Sequence, residues 1–187
     1  ETTLTSMTGL QALISNTPTA GTVGNIARTN AFWQNQRDAV ATNFTTDGII
    51  SMRNLWLLCS FGGDVPNLIS FNRATFNNYW RALQGTINYN VPAASPAVAN
   101  QLTLDLGVNT MNFNGAIMVN DDFCPANRGY FINTKYLSFV VHELRDFELG
   151  EMVITNDQDG LFSHIWFMGE LCASAMRYHG LLADGDT

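Results

Sequence analysis

One stretch of this sequence constrains the fold more than any other: residues 45–61, which read TTDGIISMRNLWLLCSF. Its length and composition predict one helix of about four turns. Thr45 or Thr46 can act as the N-cap, because a hydroxyl oxygen there accepts a hydrogen bond from a free N–H of the first turn. Asp47 then places a negative charge at the positive end of the helix dipole, and Gly62–Gly63 favours a left-handed C-terminal cap.

The two halves of this helix differ in pattern. Ile49, Ile50 and Met52 are set against polar neighbours in the first half, whereas residues 55–59 are apolar all round. A helix that is apolar on every side is covered on most of its surface. The stretch therefore predicts a central spine helix, packed by other elements of the chain or by other subunits.

The composition indicates a chain whose surface is largely covered by neighbours. The 187 residues suffice for one large or two small domains, and 46% of them are hydrophobic. Only 13% are charged, about half the usual share, although a fibrous or secreted domain has a similar composition. The net charge is −7 and Lys135 is the single lysine, which argues against a general nucleic-acid binder.

The cysteines and the hydropathy of the sequence further limit the class of protein. Cys59, Cys124 and Cys172 form no C-x-x-C pair, so reduced thiols are expected rather than a disulfide framework. The sequence has no run of 18 apolar residues and no visible signal peptide. Because it starts with Glu1 rather than Met, we expect a processed or trimmed product, and both maturation cleavage and an arbitrary boundary remain open.

Short elements are predicted on both sides of the spine helix. Residues 10–14 favour a short helix, residues 21–24 a tight, partly extended segment, and residues 25–37 a strand. Beyond the spine helix, the apolar run 68–71 predicts a buried strand. A second helix should follow at residues 73–83, with Asn72 as its N-cap and Gly85 as the residue that ends it. Its apolar face consists of Phe76, Tyr79, Trp80 and Leu83.

The second half of the chain predicts strands. The polar stretch 85–101 is a long loop, either an inter-subunit contact or disordered, and from Leu102 the apolar residues recur with a period of two. Residues 115–119 predict a buried strand that pairs with residues 130–132 in a loose hairpin. Further predictions are a strand at 137–141, an exposed charged segment at 142–150, an extended segment at 152–155, and two strands within 161–182, with a helix over 161–178 as the open alternative.

Candidate metal ligands and bases are scattered. His142, His164 and His179 lack metal-ligand spacing, and Asp121–Asp122 favours a turn over a cation site. Residues 157–160 resemble the start of a calcium loop, but Met168 stands where that loop needs a glutamate. We therefore expect no metal, no cofactor and no catalytic residue.

The cysteines also favour a structural reading. Cys59 is predicted as inert packing within the spine helix, and Cys124 is the most exposed candidate. Cys124 has no histidine near it in sequence to act as a base, and the phosphate-binding and nucleophile-elbow motifs are absent. A small hydrolase or transferase using Cys124 or His142 remains a minor alternative.

Several stretches taken in order resemble the major capsid proteins of tailed phages, which have the Hong Kong 97-type fold. The order is GTVGNIAR with Phe32–Trp33, the spine helix, the strand NLISF, the helix RATFNNYW, a hairpin with an acidic turn, and terminal strands that end in HGLL. The hairpin NGAIMVNDDFCPANRGYFINTKYL matches a recurring signature of that family. The matching positions are Gly115, Val119, Asp122, Pro125, Gly129, Tyr130 and Asn133.

This resemblance implies an α+β fold with a spine helix, a central mixed sheet flanked by helices, and long peripheral strands. It implies a peripheral domain from residues 1–65 and 151–187, and an axial domain from residues 66–150. The chain would assemble into hexamers and pentamers of an icosahedral shell around double-stranded phage DNA. It would act with scaffold, portal and decoration proteins, without a membrane, in a virion assembled in the host cytoplasm.

The departures from the family pattern are an expected lack of the N-terminal arm and of the extended loop before the spine helix. With one lysine, the Lys–Asn cross-linking of some relatives is not expected here. Two other roles remain open: an encapsulin-type nanocompartment shell protein, and a decoration or receptor-binding domain of a virion.

Overall fold

The computed structural model describes residues 7–84, 111–154 and 160–183. The predictions for the loop 85–101, for the alternation from Leu102 and for most of residues 157–160 lie outside these ranges. The helices are α1 (Leu10–Leu13), α2 (Ile49–Cys59) and α3 (Arg73–Gln84). The strands before α3 are β1 (Thr22–Val23), β2 (Ile26–Ala27), β3 (Gln36–Ala39) and β4 (Leu68–Phe71). Those that follow are β5 (Met111–Phe113), β6 (Ala116–Asn120), β7 (Arg128–Ile132), β8 (Leu137–Val141), β9 (Glu148–Leu149), β10 (Val153–Ile154), β11 (Leu161–Phe162), β12 (Ile165–Trp166), β13 (Gly169–Ala173) and β14 (Gly180–Ala183).

A mixed six-stranded sheet forms the centre, in the order β3-β14-β7-β4-β6-β5. The β3–β14 and β4–β6 pairs are parallel and the other pairs are antiparallel. One sheet thus contains strands from all three segments of the predicted peripheral and axial division, and that division stays a prediction.

The predicted hairpin between residues 115–119 and 130–132 is wrong, because β4 lies between β6 and β7. The hairpin partner of β6 is β5, and the turn that joins them is Asn114–Gly115, with φ of 49° and 87°. An Asn-Gly turn with two positive φ values matches the twist of paired strands, so it closes this hairpin locally. β6 is also only half buried, since Ile117 and Val119 face outward.

The spine helix is present, but both of its predicted ends are wrong. A π-helical turn at Phe44–Gly48 precedes α2, and its cap is Asn43, whose side chain accepts the N–H of Thr46 at 2.9 Å. Gly62 and Gly63 do not cap the helix. They are the centre of a tight turn, with φ of 63° and 91°, in which Phe61 and Asp64 exchange backbone hydrogen bonds.

The expected cover around α2 is found on one side. Met52, Leu55 and Cys59 are fully buried, and Leu55 and Cys59 lie against Gly180 of β14. Leu57 and Leu58 are about half exposed, at 52% and 49%. Among the residues that the structure describes, the spine helix therefore has one covered face and one open apolar face.

The second helix and its strand match the prediction. The side chain of Asn72 accepts the N–H of Thr75 at 2.8 Å, which caps α3. Tyr79 is buried and Phe76 and Leu83 pack against the same core as Phe71 of β4. The short helix α1 is also confirmed, whereas residues 25–37 hold only β2, a 3-10 turn at Ala31–Trp33, and the start of β3.

Strands β8 to β13 form three successive two-stranded antiparallel pairs, here called the ribbon (described residues 137–154 and 160–173). β8 pairs with β13, β9 with β12, and β10 with β11. The strand predicted at 137–141 is thereby confirmed. Residues 161–182 are extended as predicted, but they belong to four strands, β11 to β14, rather than two, and the helical alternative for 161–178 is wrong.

Candidate assembly surfaces

The ribbon leaves a large amount of apolar surface in contact with solvent. Among its described residues, fourteen large apolar side chains are exposed: Phe139, Val140, Leu144, Phe147, Leu149, Met152, Val153, Ile154, Leu161, Phe162, Ile165, Trp166, Phe167 and Met168. Scattered exposed apolar residues are ordinary, but a contiguous set of this size marks an interaction surface.

Both faces of the outer ribbon are apolar. Val153 is paired with Phe162, and the next pair, Ile154 with Leu161, faces the opposite way. A two-stranded ribbon is marginally stable in water without a third strand or a packed face. The ribbon therefore needs cover that the described residues of this chain do not supply to it.

Ring contacts hold the ribbon's side chains in place. Phe167 stacks on Phe139 with ring centroids 6.2 Å apart and on Phe147 at 4.6 Å. The Arg145 guanidinium lies 5.0 Å from the ring of Trp166. These contacts organise the exposed aromatic groups into a fixed surface before any partner binds.

A second apolar surface lies on α2 and the turn after it. Ile50, Leu57, Leu58 and Phe61 are each about half exposed or more, at 61%, 52%, 49% and 53%. Their spacing places them along one side of the helix, opposite the buried face. We call these four residues the outer α2 face.

Charge is divided between the ribbon and the rest of the chain. Over the full sequence, residues 137–173 have one base, Arg145, and seven acids. The rest of the chain, here called the body, has eight bases and nine acids. The ribbon is thus strongly acidic and the body nearly neutral, so charge disfavours contact between two ribbons more than contact between the ribbon of one copy and the body of another.

A polar cluster lies where the ribbon leaves the body. The Lys135 ammonium donates to both carboxylate oxygens of Asp64 at 2.9 and 3.0 Å, and the Tyr136 hydroxyl donates to Oδ2 of the same group. These hydrogen bonds lower the pKa of Asp64, first through Tyr136, and raise the pKa of Tyr136 to about 12. The rings of Tyr136 and Tyr178 stack at 4.2 Å.

A buried polar network that the sequence pattern did not reveal holds the N-terminal segment. The guanidinium of Arg28 donates to Asn35 Oδ1 at 2.7 Å and to the carbonyls of Ala12 and Leu13 at the end of α1. Asn35 in turn exchanges two hydrogen bonds with the backbone of Ser15. Free carbonyls at a helix C-terminus attract a cation, which gives Arg28 a structural role.

The three histidines do not form a site. His179 is fully buried, its Nδ1 accepts the N–H of Asn133 at 3.4 Å, and burial lowers its pKa to about 4. His142 and His164 are exposed on the ribbon. Within the described ranges, no three histidine, cysteine or acidic side chains come together as metal ligands.

The prediction that Cys124 is the most exposed thiol is wrong. Cys124 is buried at the rim of a groove of about 490 Å³, beside Asn72, Arg73 and Asp122, whereas Cys172 is the exposed cysteine. Burial, followed by the charge of Asp121, raises the pKa of Cys124 to about 11. Such a thiol is protonated at neutral pH and a poor nucleophile. Burial likewise raises the pKa of Cys59 to about 12.

The acidic pair before Cys124 forms a turn. Asp121 Oδ1 accepts the N–H of Phe123 at 2.9 Å, and the Asp121 carbonyl accepts the N–H of Cys124 at 3.1 Å. No described helix is long and apolar enough to cross a lipid bilayer.

Comparison with solved structures places this architecture among phage capsid subunits. The chain is similar to the cyanophage A-1(L) capsid asymmetric unit, with a TM-score of 0.62 and 16% sequence identity over 95% of this chain. This chain spans 60% of the length of that one. No family model and no curated protein matches the sequence. The chain therefore has a phage capsid-like fold, with a central mixed sheet and few helices.

Proposed function

We propose that this protein is a structural shell subunit, the major capsid protein of a tailed phage. Many copies would tile into hexamers and pentamers and close an icosahedral shell around double-stranded DNA. The role is structural rather than enzymatic. In a virion, scaffold, portal and decoration proteins would complete the particle, and its assembly would take place in the host cytoplasm.

The observation that carries this proposal is the pair of uncovered apolar surfaces on a capsid-like fold. The ribbon is apolar on both faces, and the outer α2 face repeats the feature on the body. Copies of the same chain are the simplest cover, because a shell supplies neighbours on several sides. Two different patches that bind each other make a head-to-tail contact, which extends into rings and sheets rather than stopping at a dimer.

The division of charge supports the same arrangement. An acidic ribbon is repelled by another ribbon, whereas a body of nearly balanced charge does not repel it. The Hong Kong 97-type division into peripheral segments 1–65 and 151–187 and an axial segment 66–150 belongs to this proposal. The loop 85–101 would then lie toward the capsomer axis.

The test is assembly of the full-length protein, followed by sedimentation velocity and negative-stain microscopy. We expect closed particles or capsomer rings. A chain that stays monomeric under all assembly conditions would contradict the proposal. The contents of particles purified from the native source distinguish the two shell roles, since DNA identifies a capsid and an enclosed enzyme identifies a nanocompartment.

A further inference from the structure

The turn that follows α2 holds both strands of the ribbon where they leave the body. Phe61 and Asp64 exchange two backbone hydrogen bonds, at 3.0 and 3.1 Å, across Gly62–Gly63. This pairing places the side chains of both residues at the root of the ribbon, where one contacts each strand.

Asp64 binds the segment that leads into β8. Its carboxylate accepts hydrogen bonds from the Lys135 ammonium and the Tyr136 hydroxyl, and β8 begins at the next residue, Leu137. Asn67 also holds the adjoining residue Thr134. Its side-chain Oδ1 accepts the N–H of Thr134 at 3.0 Å, and its Nδ2 donates to the hydroxyl of Thr134 at 2.7 Å.

Phe61 binds the segment that leaves β13. The Arg177 guanidinium lies 4.1 Å from the centroid of the Phe61 ring, a cation–π distance. Tyr178 then stacks on Tyr136 with an interplanar angle of 8°, which joins the outgoing and returning segments. The N–H of Ser174 also donates to the carbonyl of Tyr136 at 2.9 Å.

We propose that this turn is a clamp that sets the direction in which the ribbon leaves the body. The clamp residues are Phe61, Asp64, Lys135, Tyr136 and Arg177. The inference rests on the proposed function for its purpose, since a shell needs every ribbon to reach its neighbour at the same angle. Its geometry belongs to the single chain and can be measured before assembly.

Other ties to the body lie in the first strand pair of the ribbon, β8 with β13, next to the root. Leu137, Leu171 and Ala173 pack against the smaller core cluster, and Glu170 accepts the N–H of Thr8 at 2.9 Å. The distal strands β9 to β12 contact chiefly one another. Direction is therefore decided at the root, where charged and aromatic groups meet in a fixed arrangement.

The experiment is a distance measurement between two spin labels in the unassembled chain. In a Cys172→Ser background, Glu151→Cys places one label on the ribbon and Asn77→Cys places the other on α3. Both positions are exposed, and the remaining cysteines, Cys59 and Cys124, are buried. We expect one narrow distance peak for the otherwise unaltered chain.

Asp64→Asn releases the segment that leads into β8, and Arg177→Met releases the segment that leaves β13. Each variant should broaden the distance peak and shift its mean, and the double variant should lose the single peak. Asp122→Asn removes a carboxylate away from the root and should leave the peak unchanged. An unaltered peak in the double variant, with its fold verified by circular dichroism, would overturn the clamp. Failure of a chain with a narrow peak to assemble would count against the shell function instead.

Discussion

Gly129 lies where the ring of Phe71 crosses β7. A Cβ built on Gly129 would lie 1.9 Å from Cε1 and 2.4 Å from Cδ1 of that buried ring. We expect Gly129→Ala to destabilise the fold by about 1–3 kcal/mol, because the ring has no room to withdraw within the core.

Gly160 is the matched control, because no heavy atom of the described residues beyond its chain neighbours lies within 4 Å of a Cβ built there. Gly160→Ala should change the free energy of unfolding by less than about 0.5 kcal/mol. Urea unfolding measures both variants. Equal midpoints for Gly129→Ala and the unaltered chain would contradict the predicted clash.

The buried imidazole of His179 makes the free energy of unfolding depend on pH. Its pKa is about 4 in the folded chain, because burial disfavours the imidazolium, and the ordinary value near 6.5 returns on unfolding. The unfolded state therefore binds a proton that the folded state excludes between pH 6.5 and 4. Above pH 6.5 this group does not change the free energy of unfolding. As the pH drops from 6.5 to 4, the free energy of unfolding falls by about 3 kcal/mol, and below pH 4 this group lowers it no further.

The variant His179→Gln removes the titration and keeps an acceptor for the N–H of Asn133. We expect its free energy of unfolding to be lower at neutral pH but less dependent on pH between 6.5 and 4. Denaturant melts at several pH values give both curves. Parallel curves for the two proteins would show that another group is responsible.

The outer and inner faces of α2 should respond differently to truncation. Leu55 is fully buried against Gly180, so Leu55→Ala should destabilise the monomer by about 2–5 kcal/mol. Leu58 is 49% exposed, and Leu58→Ala should cost the monomer about 1 kcal/mol or less while weakening assembly. Thermal melts of the monomer and particle yield by sedimentation separate the effects. Unchanged assembly by Leu58→Ala would remove the outer α2 face from the interface.

Elements were predictable where a local signal specified them. Asn72 with the 3.6-residue spacing of Phe76, Tyr79 and Leu83 was enough to predict α3, and the apolar run of β4 predicted a buried strand. Strand neighbours were not predictable in this way. The pairing of β4 between β6 and β7 joins segments that are distant in sequence, and only packing decides it.

Two local signals in the sequence specify features that the predictions above do not contain, a hairpin turn and a helix cap. Asn114–Gly115 indicates a hairpin by its own turn chemistry, and it would have paired β5 with β6. Asn43 is as good a cap as Thr45 or Thr46, and the extra π-helical turn moved the helix start back to it. The buried roles of Arg28 and Cys124 depend on tertiary contacts, so neither could be read from spacing.

At the scale of the whole molecule, the difference in charge between the acidic ribbon and the nearly neutral body makes a charge-swap experiment possible. In the first variant, Glu143, Glu148 and Glu151 become lysine, which changes the net charge of the ribbon from −6 to 0. In the second, Arg53, Arg73 and Arg81 become glutamate, which changes the net charge of the body from −1 to −7, so ribbon and body are both acidic. All six side chains are exposed, and monomer stability should change little.

The second variant alone should assemble poorly, because its acidic ribbon meets an acidic body. An equimolar mixture with the first variant should form mixed particles, because the neutral ribbon of the first meets the acidic body of the second, and the acidic ribbon of the second meets a nearly neutral body. Light scattering at low and high salt measures this, with salt weakening the mixture's advantage. Matched glutamine substitutions show the effect of neutralisation alone. Mixtures that behave like the separate variants would exclude the ribbon–body contact.

The position of β14 orders events during synthesis. This strand lies between β3 and β7, and its partner in β3 is 144 residues earlier in the chain, as in the pair Gln36–Gly180. Contacts so distant in sequence form slowly. The apolar ribbon therefore leaves the ribosome before the residues of β14, which complete the central sheet. Aggregation of incomplete chains through the exposed apolar ribbon is therefore the expected risk of this topology during synthesis.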